Sequence, residues 1–176
     1  TNLHSQGSLP TDASSISTNP TPYYMSALEA MDSELGRLLN SMSAEEKANT
    51  VIIFIGDNGS PNQVAQSPYS RSKAKNTLYQ GGINVPMVVS GKDVSRIHDQ
   101  EEALVHTTDL FSTIATIAGV STSSYENSTS FYPLLSNSLA TSRDYVYTEI
   151  SKSGITGYAI RNATYKYINY SSGVEE

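Results

Sequence analysis

The chain has 176 residues, of which 38% are hydrophobic, so it is long enough for one domain with a core. Its formal net charge of −6 gives no basic footprint for nucleic acid. No apolar run approaches the length of about 18 residues that a membrane span needs. There is no cysteine, which excludes disulfides and thiolate metal sites. The chain opens at Thr1 without an initiator Met or a signal-peptide pattern, and we expect a mature product or a fragment.

The first third of the chain predicts a loop, two helices and a strand. Residues 1–20 are rich in Ser, Thr, Pro and Asn, which indicates a loop. Thr21-Pro22 predicts the start of a helix, whose apolar stripe continues at three- and four-residue steps to Met42. A capping-box pattern that begins at Ser43 predicts a short second helix. The apolar run 51–55 has the length of a buried strand.

The remainder of the chain predicts a long loop, a further helix and several strands. Residues 60–77 are polar and indicate a functional loop instead of a packed element. A later helix should turn Leu110 and Ile114 inward and end at Gly119. Further strands are predicted at 85–89, 145–148, 158–161 and 165–170. The order predicts an α/β protein in which the last two strands form a hairpin.

Asp57-Asn58-Gly59 ends the first strand abruptly. In open α/β sheets, binding sites form beyond the carboxyl ends of strands. A carboxylate and an amide carbonyl at that place are two hard oxygen donors, which suit Ca²⁺ or Mg²⁺ better than zinc. The same tripeptide is a common turn sequence, and taken alone it is more typical of a turn.

Lys75 precedes a second motif, Tyr79-Gln80-Gly81-Gly82, which leads to Pro86. A lysine presents a compact charge to an anion, and the two glycines allow a close approach of the backbone. Taken alone, the segment is better explained as a solvated lysine before a turn.

Together the two motifs resemble the formylglycine-dependent sulfatases of the alkaline phosphatase superfamily. In that family a strand ends in Asp-Asn-Gly, and a lysine precedes Tyr-Glu-Gly-Gly and a strand that opens near Pro. This chain departs from the pattern at Gln80, where the family usually has Glu. The resemblance covers roughly residues 20–170 in order, and it includes the helix around Thr108-Asp109-Leu110 and the terminal hairpin.

The resemblance implies the C-terminal part of an alkaline-phosphatase-like mixed sheet flanked by helices, with a terminal antiparallel hairpin. Residues 1–20 would be a loop or the start of a fragment. Residues 21–120 would form the C-terminal portion of the core domain with the metal-site strand. Residues 121–176 would form a loop followed by the C-terminal antiparallel strands.

The resemblance also implies roles for four residues. Asp57 and Asn58 would bind the metal. The expected ion is Ca²⁺, as in the family, and Mg²⁺ is less favoured. Lys75 would hold a sulfate oxygen and help to neutralise the leaving group. His4 fits the place of a family histidine that contacts the sulfate and the leaving oxygen.

The family's nucleophile is missing from this chain. Formylglycine is made from Cys or Ser in a Cys/Ser-x-Pro-x-Arg pattern, and the nearest version, Ser8-Leu9-Pro10, has Asp12 in place of Arg. The paired Asp-Asp of the family's metal site is also missing. We therefore expect that the chain needs an N-terminal half and is inactive alone. The implied substrate is a sulfated small molecule or carbohydrate, and the implied location is periplasmic or secreted.

Other functions stay open at this point. A phosphomonoesterase or phosphodiesterase of the same superfamily usually pairs the Asp with His, so Asn58 favours a sulfatase. A noncatalytic sulfatase-like binding domain would retain the fold without the upstream nucleophile motif. A nucleotide-binding domain is disfavoured, because no Gly-rich phosphate loop joins a strand to a helix.

Overall fold

The computed structural model describes Leu9, residues 14–120 and residues 125–173. Contacts within the chain divide it into two compact units, which are described separately. The first unit comprises Thr1–Thr50 and Gly56–Val85, and the second comprises Val51–Ile55 and Pro86–Glu176.

The first unit opens with two helices. Helix α1 spans Pro20–Ser41, which confirms the predicted long helix, although Asn19 and not Thr21 stands at its N-cap. Helix α2 spans Ala44–Ala48 and has the predicted capping box. The Ser43 amide donates to the Glu46 carboxylate at 2.7 Å, and the Glu46 amide donates to the Ser43 hydroxyl at 3.2 Å. These reciprocal bonds use two of the amides that a helix start leaves without a partner.

The apolar stripe of α1 is not buried within the described residues. No residue of the helix is classed as buried. Five large apolar side chains are each more than a third exposed: Met25, Leu28, Met31, Leu35 and Leu38. The amphipathic pattern was thus predicted correctly, but in the described part of the chain most of this face remains open.

The loop after the first strand is packed, contrary to the sequence-based expectation. It holds two 3₁₀ helices, Asn62–Val64 and Arg71–Lys73, and is followed by the short helix α3 at Gln80–Ile83. The side chains of Ala74 and Leu78 are almost completely buried. These two buried apolar side chains hold the segment in place although most of its residues are polar.

The second unit contains two antiparallel sheets. Strand β1 (Val51–Ile55) pairs with β2 (Met87–Gly91). Strands β3 (Val146–Lys152), β4 (Ile155–Arg161) and β5 (Lys166–Tyr170) form a three-stranded sheet in that order. The predicted terminal hairpin is confirmed as β4–β5. In the described residues both sheets are small and antiparallel, where the sequence predicted a mixed sheet.

Helix α4 (Asp109–Ile117) buries a polar face. Its buried residues are Asp109, Ser112 and Thr113, whereas Ile114 is 55% exposed. The prediction that Ile114 faces inward is therefore wrong. The reason is directional bonding: the Ser112 amide donates to the Ser128 hydroxyl at 3.0 Å, and the Phe131 amide donates to the Thr113 hydroxyl at 2.9 Å.

The core of the second unit comes from a segment that the sequence indicated only as loop. Phe131 is buried with two residues of the 3₁₀ helix Tyr132–Leu135, namely Leu134 and Leu135. Met87, Val89 and Leu110 are among the partly buried residues that pack against this cluster. Among the described residues, no helix combines the length and the apolar character needed to cross a bilayer.

Candidate functional site

Asp57 and Asn58 lie in an exposed turn that directly follows β1 in the chain. The Asn58 side-chain amide nitrogen donates to the Asp57 backbone carbonyl at 2.7 Å. This bond uses the nitrogen of the amide group and not its oxygen. An Asn oxygen and an Asp carboxylate are both ligands that hard cations accept.

Two backbone hydrogen bonds bring the Asp-Asn-Gly motif beside the segment that carries Lys75. The Gly59 amide donates to the Gly82 carbonyl at 3.1 Å. The Lys75 amide donates to the Ser60 carbonyl at 3.0 Å. The backbone of Lys75 therefore lies against the residue that stands two positions after Asn58. The two sequence motifs are neighbours in the first unit.

Three glycines make this approach possible. A Cβ atom built on Gly59 would lie 2.6 Å from the Cα and the carbonyl oxygen of Gly82, and closer still to the Gly81 oxygen. A Cβ on Gly81 would lie 2.6 Å from the Lys73 carbonyl, and one on Gly82 would lie 2.6 Å from the Ala74 carbonyl. Every one of these neighbours is a backbone atom. The contact between the motifs thus requires glycine at position 59, and the packing of the second motif against residues 73–77 requires glycine at positions 81 and 82.

The lysine segment is held by its own local contacts. The Thr77 hydroxyl donates to the Ala74 carbonyl at 2.7 Å, and Asn76 adopts a left-handed backbone with φ of 69°. Lys75 is partly buried. The nearby Lys73 places its Nζ 4.1 Å from the ring centroid of Tyr79, a cation–π contact. The two lysines of this segment are therefore in different environments.

Comparison with known proteins decides the family. The family model described as Sulfatase matches residues 4–120. This chain belongs to the sulfatase family. The match confirms the sequence-based resemblance and includes both motifs of the candidate site.

The relatives of this sulfatase-family chain are much longer than the chain. It is 30% identical over 111 residues to Arylsulfatase G of Rattus norvegicus, which covers 56% of the chain and 21% of that protein. It is 32% identical over 108 residues to a Sulfatase of Formosa agariphila, with 54% and 19% covered. The chain thus spans about a fifth of these curated relatives.

A solved structure supports the fold. The structure of a 2-O GAG sulfatase superposes with a TM-score of 0.68 at 21% sequence identity, and the match covers 88% of this chain and 34% of that one. Identity at this level supports a shared fold alone. The described helices and small antiparallel sheets are thus similar to part of a sulfatase.

Asp57 and Asn58 would supply only part of the ligand shell that a calcium ion needs. Ca²⁺ takes about six to eight oxygen ligands, and Asp57 with Asn58 supplies two side chains. Residues 14–120 and 125–173 contain no group of three or more His, Asp or Glu side chains placed to hold a metal. The chemistry of the pair fits calcium, but further ligands are required.

Of the three histidines, the structure describes His98 and His106, both in the second unit. His4 lies outside the described residues. His106 has both ring nitrogens engaged in the second unit, with Nε2 2.9 Å from the Tyr147 carbonyl and Nδ1 2.9 Å from the Thr108 hydroxyl. These contacts give His106 a structural role.

A buried ion pair in the second unit was missed by sequence reasoning. The carboxylate of Asp109 accepts from Nε of Arg143 at 2.9 Å, from a second Arg143 nitrogen, and from the Thr129 amide at 2.9 Å. Asp109 also accepts from the His106 amide at 2.7 Å. The sequence showed only an acidic residue at the start of a helix, which predicts a helix cap. That local pattern does not predict an ion pair with an arginine much later in the chain.

Proposed function

We propose that this chain is the C-terminal part of a sulfuric ester hydrolase and that its first unit supplies part of the active site. The observation that carries the proposal is the pair of backbone hydrogen bonds, Gly59 to Gly82 and Lys75 to Ser60. They put the backbone of the lysine segment beside the turn that carries Asp57 and Asn58, an arrangement that suits hydrolysis of an anionic ester. Membership of the sulfatase family supports the same assignment.

In this proposal Asp57 and Asn58 hold Ca²⁺, with Mg²⁺ as the less favoured ion. Calcium, when bound, supplies Lewis acidity that withdraws charge from the sulfate oxygens. Lys75 holds a sulfate oxygen and stabilises the negative charge that develops on the leaving oxygen. His4 is proposed as a further contact to the leaving oxygen.

The nucleophile must come from outside this chain. A formylglycine needs a Cys or Ser in the family's Cys/Ser-x-Pro-x-Arg pattern, which these residues do not provide. The open apolar stripe of α1 is a surface against which an N-terminal half would pack. Strands from that half would extend β1 and β2 into the larger mixed sheet of the family. We therefore propose that the chain alone is inactive.

The substrate class follows from the same assignment. We propose a sulfated small molecule or carbohydrate, since the relatives are described as arylsulfatases and as a 2-O GAG sulfatase. We propose a periplasmic or secreted location, because many enzymes of the family are found there.

The test compares two lysines of one segment in the complete protein that the native gene encodes. Release of sulfate from a chromogenic aryl sulfate is measured for Lys75→Ala and, as the matched control, Lys73→Ala. We expect Lys75→Ala to lower kcat by about 10²-fold or more, the usual cost of removing one group that stabilises developing charge. Lys73→Ala should retain activity within a few-fold, because its ammonium group contacts Tyr79. Equal losses in the two variants would refute the role of Lys75.

A second arm tests the metal and the reaction class. Asp57→Asn should weaken calcium binding, measured by calorimetry on the chelator-treated protein, and should lower sulfate release in parallel. An aryl phosphate offered to the same protein separates a sulfatase from a phosphomonoesterase. Faster hydrolysis of the phosphate would favour the phosphatase alternative, and no hydrolysis of either ester would favour a binding domain.

A further inference from the structure

Asn58 and Gly59 form the one Asn-Gly pair in the sequence. In such a pair the backbone nitrogen of the glycine can attack the side-chain Cγ of the asparagine, because glycine has no Cβ to hinder the approach. The new N–Cγ bond closes a succinimide ring, and the Cγ–Nδ2 bond breaks. The side-chain nitrogen leaves as ammonia and takes the glycine amide proton with it. Water then opens the ring on either side and leaves aspartate or isoaspartate.

The attacking nitrogen is held by the second motif. The Gly59 amide donates to the Gly82 carbonyl at 3.1 Å, and Gly59 is buried although Asn58 beside it is exposed. This hydrogen bond must break before the nitrogen can attack. The backbone of Gly59 is also closely packed, since a Cβ atom built on it would lie 2.6 Å from the Cα of Gly82. The nitrogen can therefore turn toward Asn58 only when the two motifs separate.

The group under attack is held in a different direction. The side-chain nitrogen of Asn58 donates to the Asp57 carbonyl at 2.7 Å, which turns the amide group toward the preceding residue. Attack requires the Cγ atom to lie against the nitrogen of the following residue. Both reacting groups are therefore engaged in hydrogen bonds that oppose the reaction.

We propose that Asn58 is the site at which this chain is covalently modified by deamidation, and that the contact between Gly59 and Gly82 sets the rate. The closed contact preserves Asn58, and each local opening of the contact exposes it to attack. The reaction consumes only water and does not depend on the proposed enzyme. Its consequence for calcium rests on the proposed function, because isoaspartate adds a carbon to the main chain beside the proposed metal pair.

The first test measures deamidation of Asn58 in the complete protein that the native gene encodes. The protein is treated with a chelator, so that no bound cation holds the side chain, and is then incubated either folded or unfolded in urea. Mass spectrometry of its peptides follows the conversion of amide to carboxylate. We expect Asn58 to react at least about tenfold more slowly in the folded protein, which corresponds to an opening free energy of about 1.4 kcal/mol. Equal rates in the two states would overturn the proposal.

Gly82→Ala tests the contact without changing the Asn-Gly pair. Its Cβ would lie 2.6 Å from the Ala74 carbonyl oxygen and 2.8 Å from the Thr77 hydroxyl, so the segment that holds the Gly59 amide must move. Deamidation of Asn58 should be at least about tenfold faster than in the parent protein. The matched control is Gly36→Ala, where a Cβ meets nothing within 4 Å and the rate should be unchanged. Equal rates in the two variants would refute the role of the contact.

Asn137 distinguishes local opening from global unfolding. It is exposed, precedes a serine and belongs to the second unit. In Gly82→Ala its deamidation rate should equal that of the parent protein while the rate at Asn58 rises. An equal proportional rise at both sites would assign the protection to global stability and would overturn the role of the contact.

Hydrogen exchange of the parent protein supplies a readout that needs no variant. The Gly59 amide should exchange at least about tenfold more slowly than it does in the unfolded chain, because its proton is bonded to the Gly82 carbonyl. Exchange at the unfolded rate would contradict the proposal whatever the variants show. Sulfate release enters none of these measurements, so failure here is distinguishable from failure of the proposed enzyme.

Discussion

A single methyl group at Gly59 should break the contact that joins the two motifs. In Gly59→Ala the new Cβ would lie 2.6 Å from two backbone atoms of Gly82 and closer to the Gly81 oxygen. No rotamer change can relieve this overlap, because the obstructing atoms are backbone. The two segments must separate, and the Gly59–Gly82 hydrogen bond is lost with them.

The expected cost follows from these two effects. Forcing an extra carbon into a filled space costs about 1–3 kcal/mol. Loss of one buried backbone hydrogen bond adds about 0.5–1.5 kcal/mol. Gly59→Ala should therefore lower the free energy of unfolding by about 1.5–4.5 kcal/mol.

Gly36→Ala is the matched control. Gly36 lies within α1, and a Cβ built there meets nothing within 4 Å. Alanine is more favourable than glycine in a helix interior by about 1 kcal/mol, so this variant should be more stable than the parent. The two Gly→Ala changes should thus move the urea midpoint in opposite directions. A Gly59→Ala midpoint equal to or above that of the parent protein would refute the close packing of the two motifs.

Three further predictions concern other elements. Arg143→Met leaves the buried carboxylate of Asp109 without its guanidinium and should lower the free energy of unfolding in urea by about 3–5 kcal/mol. The control, Arg37→Met, removes an exposed ion pair and should cost about 0–1 kcal/mol, and equal losses in the two variants would contradict the prediction. Burial, together with the charge of Arg161, lowers the pKa of Lys166 to about 8. Between pH 8 and 10.5 the unfolded chain holds a proton on Lys166 that the folded chain has released, so stability should rise with pH there, and Lys166→Gln should abolish that rise. Ser43→Ala should cost about 0.5–2 kcal/mol by removing the α2 cap, and an unchanged urea midpoint would argue against the capping box.

Local patterns predicted the elements whose determinants are local. The capping box needs only the four residues from Ser43 to Glu46, and both of its bonds form. The hairpin of β4 and β5 follows from two alternating segments close in sequence. The first strand was predicted because five consecutive apolar residues leave few alternatives.

The sequence could not predict contacts between distant segments. Apolar periodicity placed Ile114 inward, but Ser112 and Thr113 bond to Ser128 and Phe131, and no local pattern reveals partners so far along the chain. For the same reason the segment around Phe131 was predicted as loop although it forms the core of its unit.

The candidate site was predicted through its motifs and not through its packing. Asp57, Asn58 and Lys75 were identified through the resemblance of their motifs to the sulfatases, and the structure brings the backbones of the two motifs into one region. Their catalytic and metal-binding roles stay predictions. The part played by Gly59 became visible only in three dimensions, since a glycine in a turn gives no sign of what lies against it.

Helix α4 has a consequence for how this part of the chain tolerates change. Its inner side is fixed by hydrogen bonds of defined direction, so the helix has one rotational setting about its long axis. Phe111 and Ile114 are thereby turned outward, where each is 55% exposed. Phe111 or Ile114 can be exchanged for another apolar residue without loss of these bonds, whereas replacement of Ser112 or Thr113 removes a side-chain bond to the segment around Ser128 and Phe131. Substitutions should therefore be tolerated better at the apolar Phe111 and Ile114 than at the polar Ser112 and Thr113, the reverse of the usual rule for a helix.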